Sequence, residues 1–91
     1  MAASIEVTQI KPGEFRVRVI EGRSETSHVV TLQPADHQRL TGGKATPEEL
    51  LKRSFEFLLE REIKESILAR FDLLVIARYF PEYEREIKRR L

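Results

Sequence analysis

The chain has 91 residues, 41% hydrophobic and 34% charged, and sixteen Lys and Arg against fifteen Asp and Glu leave a formal charge of +1. That length supports a single domain over residues 1–91 built on one core, and the balanced charge supplies no overall field towards nucleic acid or anionic lipid. The absence of cysteine excludes disulfides, thiolate metal sites and a cysteine nucleophile, and no apolar run approaches the ~18 residues of a membrane span, so a cytoplasmic protein with no membrane partner is expected.

Two strands are predicted first. From Ile5 to Ile10 and from Phe15 to Ile20, β-branched and aromatic residues alternate with polar ones, as a strand with one face on a core requires. Lys11-Pro12-Gly13-Glu14 between them has the chemistry of a type II turn. Glu21-Gly22-Arg23-Ser24 is a second turn, followed by a third strand over Ser27–Leu32. The first third of the chain, residues 4–33, thus reads as a three-stranded antiparallel meander, and residues 34–91 as its helical part.

Pro34 opens a short helix that Gly42-Gly43 closes. Thr46 as N-cap, Pro47 at N1 and Glu49 at N3 then form a capping box for an amphipathic helix carrying Leu51, Phe55, Leu58 and Leu59. Its polar surface offers Glu49–Arg53 and Lys52–Glu56 pairs at i, i+4 spacing. After Ile63 the apolar pattern continues through Ile67, Leu68 and Phe71, and Asp72 is placed to cap a run of Leu73, Leu74, Val75 and Ile76. Pro81 forces a break near Phe80, and Tyr83, Ile87 and Leu91 mark a last helix with Glu84–Lys88 and Glu86–Arg90 pairs. The expected fold is α+β: a three-stranded antiparallel sheet covered on one face by the capped amphipathic helix and the C-terminal helices.

Motifs for chemistry are sparse. Gly42-Gly43-Lys44-Ala45-Thr46 lacks the first glycine and the final hydroxyl of a phosphate-binding P-loop, because Gln38 and Ala45 stand there. His28 and His37 show no metal-ligand spacing, and no nucleophile with a recognisable base accompanies them, Asp36 or Asp72. No catalytic residue, cofactor, metal or small-molecule substrate is therefore assigned.

Arg78-Tyr79-Phe80-Pro81-Glu82-Tyr83 concentrates three of the seven aromatics around a proline. Tyr and Arg bring apolar area with a polar tip and are enriched at interfaces. Phe55, Arg78, Tyr79 and Tyr83 are accordingly the candidate surface for a protein partner or for self-association. Such a surface belongs to a non-enzymatic interaction module.

The stretch from Ser27 to Glu62, SHVVTLQPADHQRLTGGKATPEELLKRSFEFLLERE, resembles the ribbon-helix-helix fold in its order of strand, helix and helix. That resemblance implies an alternative function, a dimeric DNA-binding regulator or antitoxin, with Thr31 and Gln33 facing base edges. Arg16 and Arg18, with Arg23, would add a basic stripe on the outer face of the hairpin. Glu48 and Glu49 stand where that fold holds a phosphate, at the N-terminus of the second helix. The whole chain, and its tail ILARFDLLVIARYFPEYE in particular, also resembles a family of small bacterial proteins without an established activity. This second resemblance implies a bacterial source and a self-contained fold and supplies no site residues.

Overall fold

The computed structural model describes residues 3–91. Alternation of Val, Ile and Phe with polar residues produces β1 (Ser4–Lys11) and β2 (Glu14–Glu21), paired antiparallel with Ile5 opposite Val19 and Val7 opposite Val17. Gly22 takes φ +61° while Arg23 keeps a negative φ, the signature of a two-residue II′ hairpin, whose twist matches that of the flanking strands. Pairing therefore runs right up to the turn. β3 spans Ser24–Thr31, starting three residues before the expected Ser27.

The expected three-stranded antiparallel sheet is corrected here. Arg70–Asp72 form a fourth strand, β4, which lies parallel to β3, so the sheet is mixed and ordered β1-β2-β3-β4. The amide of Val29 donates to Ala69 O at 2.8 Å, that of Leu73 donates to Thr31 O at 2.9 Å, and the Thr31 hydroxyl donates to Asp72 Oδ1 at 2.8 Å. Left unpaired, the C-terminal end of β3 would expose backbone groups beside the core, and β4 pairs with it over Val29–Thr31.

Among the described residues four α-helices follow or flank the last strand. Pro34 opens α1 (Pro34–Thr41), which stops where Gly42 adopts the left-handed conformation at φ +63° and donates its amide to Gln38 O. In α2 (Pro47–Leu59) the Thr46 hydroxyl accepts from the Glu49 amide at 3.1 Å, as the capping signature predicts. A 3₁₀ turn over Lys64–Ser66 leads to β4, and α3 (Val75–Tyr79) and α4 (Tyr83–Arg90) flank the break at Pro81. Asp72 sits at the end of β4 and not on a helix, but its Oδ2 still accepts from the Leu74 amide ahead of α3 at 3.2 Å.

The core lies between one face of the sheet and α2. Phe15, Val17, Val19, Val30 and Phe71 meet Leu50, Leu51, Phe55 and Leu58, and α4 adds Tyr83 and Ile87 from the far side of α2. Because α2 is enclosed by both, its buried stripe is wide enough to include Ser54. The Ser54 hydroxyl donates to Leu50 O at 2.7 Å, so the Tyr83 hydroxyl, 2.6 Å away, must donate to Ser54. Burial pushes the Tyr83 phenol up from its ordinary value, so it stays a neutral donor.

Surface charges follow both helical spacing and tertiary neighbours. Arg53 meets Glu49, as expected, at 2.7 Å and Glu56 at 3.1 Å, whereas Glu84 pairs with Arg39 and not Lys88, and Arg90 reaches across to Glu60 at 2.7 Å. Arg90 holds the Glu60 carboxyl below its ordinary value, and Arg18 and Lys64 do the same for Glu25 and Glu65. A carboxyl lowered in the folded state contributes stability above its unfolded value of 4.5, lost as pH falls through the lowered folded values. The urea midpoint is therefore expected to hold from neutral pH to about pH 5 and to fall below it. An unchanged midpoint down to about pH 2.5 would contradict this.

Candidate apolar groove

The break between α2 and α3 produces the site. Beyond α2 the chain takes the 3₁₀ turn over Lys64–Ser66, and then Ile67, whose backbone is extended, and Leu68 lead it to its pairing with β3. They form one wall of an open groove whose other wall is α3 with Val75, Ile76 and Tyr79; Leu58 and Phe71 form the floor. Its volume is about 170 Å³. That is below the roughly 300–1,000 Å³ of sites that enclose a drug-sized ligand, and suits one or two side chains of a partner.

Several contacts hold the walls before anything binds. Lys64, only 4% exposed, bridges Glu21 at 3.0 Å and Glu65 at 2.7 Å, tying the 3₁₀ turn to the end of β2. The hydrogen bond to Glu65 and then that to Glu21 raise the Lys64 ammonium above its ordinary value, so it stays charged at neutral pH. His28, buried on β3, lies 2.8 Å through Nδ1 from Leu68 O and 2.8 Å through Nε2 from the Thr26 hydroxyl. A carbonyl only accepts, so Nδ1 carries the proton and Nε2 accepts from Thr26 in the neutral ring. On the opposite side Phe80 meets Phe57 edge to face at 5.9 Å, and the Arg61 guanidinium lies 3.7 Å over the Phe57 ring.

The rim is apolar and wet. Tyr79 is 66% exposed and Leu68 46%, and Ile63, next to Glu62 in the chain, is 67% exposed. Glu62 is the charged residue of the lining, and its carboxylate has no ion-pair partner among the described residues.

The four residues proposed for a protein interface divide cleanly. Tyr79 and Arg78 are exposed on α3, and Tyr79 lines the groove. Phe55 and Tyr83 are fully buried, which corrects their place on that surface: Phe55 packs on His28 and Phe71, and Tyr83 packs on Phe57. Periodicity puts an aromatic on the apolar side of a helix without saying whether a second layer covers it, and α4 covers α2 here.

The residues of the DNA-binding alternative are also spread and committed elsewhere. β3 is paired with β2 on one side and, over Val29–Thr31, with β4 on the other, so the part of the strand that would carry Thr31 into a two-fold ribbon is already paired on both sides. The Thr31 hydroxyl is engaged by Asp72, and Gln33 stands at the N-cap position of α1. Arg18 lies between Glu6 and Glu25, both at 2.7 Å, whereas Arg16 remains exposed on the uncovered face of the sheet. The histidines are not joined to the aspartates that accompany them in the sequence: His37 bonds Ala45 O, and Asp36 lies 3.7 Å from Arg39.

Ile67, Leu68, Phe71, Val75 and Glu62 escaped the reading from sequence. For the four apolar residues the visible signal was the apolar pattern that continues after Ile63, and nothing in the sequence marked Glu62. Among the described residues no helix is long and apolar enough to cross a membrane, and no group of three or more His, Cys, Asp or Glu is arranged to hold a metal ion. Comparison with protein families, curated proteins and solved structures finds no match. The architecture itself is an α+β domain with a four-stranded mixed sheet.

Proposed function

We propose that this chain is a protein-interaction module whose docking surface is the groove between Leu68 and α3. One observation carries the reading: large apolar side chains stand exposed around an apolar groove whose walls are already held by hydrogen bonds and an ion bridge. Exposing such a cluster costs free energy in a monomer, and docking recovers it. The groove holds one or two side chains, and the unpaired Glu62 carboxylate favours a cation at its edge. The ligand is thus a polypeptide segment that presents one large apolar side chain beside a Lys or Arg.

Selection from a displayed library of random peptides tests this. Enriched peptides should share an apolar residue next to a basic one, and Leu68→Asp should weaken their binding by more than about tenfold, equivalent to ~1.4 kcal/mol. Failure to enrich any peptide, or binding indifferent to Leu68→Asp in a protein that keeps its thermal midpoint, would remove the groove as the docking surface.

A further inference from the structure

The groove carries its own ligand on its rim. Tyr79, which lines it, is the most exposed aromatic side chain there at 66%, and Arg78 precedes it with no ion-pair partner among the described residues. A large apolar ring next to a cation is the segment that the groove and Glu62 accept, so this inference rests on the docking surface proposed above.

We infer that the occupant is a second copy of this chain, related by a two-fold axis, with Tyr79 of each copy in the other's groove and Arg78 of each against the other's Glu62. A two-fold contact must be self-complementary, because the same patch faces itself. This patch is: it joins a protruding ring to a recess and an unpaired cation to an unpaired anion. The formal charge of +1 adds almost no repulsion between copies. The competing route to self-association, pairing along the free edge of β1, is blunted by exposed Glu6 and Lys11 and by the shift of register between Gln9 and Lys11.

Sedimentation equilibrium on the full chain, from about 1 µM to about 1 mM, reads the result. The average mass should rise from that of one chain towards that of two. Tyr79→Ser, Glu62→Arg and Arg78→Glu should each weaken association by about tenfold, and the combined Glu62→Arg/Arg78→Glu protein should recover to within about threefold of the original. All three side chains are outside the core, and an unchanged thermal midpoint verifies that each variant is folded. A wild-type protein that stays monomeric throughout, a dimer indifferent to Tyr79→Ser, or a charge exchange without recovery would each overturn the second-copy inference. If a monomeric protein still bound selected peptides through Leu68, the docking reading would stand and the second copy alone would fall. Loss of both would remove both.

Discussion

Phe55→Ala is expected to bring the protein to the edge of unfolding. The ring is fully buried beneath the sheet, 5.4 Å from the His28 ring and 6.1 Å from that of Phe71, so truncation leaves a cavity bounded by two other large side chains. Phenylalanine-to-alanine changes at such sites cost about 3–5 kcal/mol. A domain of this length has roughly 5–14 kcal/mol in total, so one substitution removes about a fifth of it at the least and most of it at the low end of that range. The thermal midpoint should fall by about 12–40 °C, read by circular dichroism. Tyr79→Ala is the contrast. It should leave the midpoint within about 4 °C, since its ring is mostly in water and a surface change of this kind is worth about 0.5 kcal/mol. Equal losses from both substitutions would mean that Tyr79 is a core latch and not part of a binding surface.

His28→Ala should produce two effects at once. Lost packing against Phe55, together with a Thr26 hydroxyl and a Leu68 carbonyl deprived of their partner, should cost roughly 2–4 kcal/mol. The second effect is local. With Leu68 O released, the extended segment before β4 loses its side-chain tie to β3, and amides from Ile67 to Arg70 should exchange with solvent faster than the rest of the sheet. Binding of groove-selected peptides should weaken with it. Uniform acceleration of exchange across the sheet, with no excess around Leu68, would mean that His28 supports the core and not the groove.

The two substitutions separate what was legible before folding from what was not. Turn chemistry at Gly22 and the Thr46 cap depend on neighbours in the chain, and both appear as the residues predict. Strand alternation likewise identified Phe15, Val17 and Val19 as one buried face. The groove depends on residues far apart. Leu68 is held by His28 forty positions earlier, and Lys64 by Glu21 at the end of β2. No local pattern near Leu68 announces either partner.

β4 shows the same limit in the backbone. Three residues cannot display alternation, and Arg70–Asp72 are a strand because β3 has an edge beside them that needs partners. The interface candidates sorted by the same rule: helical spacing marked Phe55 and Tyr83 as apolar-face residues, and only the stacking of α4 on α2 and of α2 on the sheet decided that both are interior. By itself the sequence determined the α+β class, three of the four strands among the described residues, both prolines that open helices and the cap of α2, because those are contests between a residue and its near neighbours. The tertiary structure decided the fourth strand, which aromatics meet water, and the groove, because each depends on which distant surface comes to lie beside it.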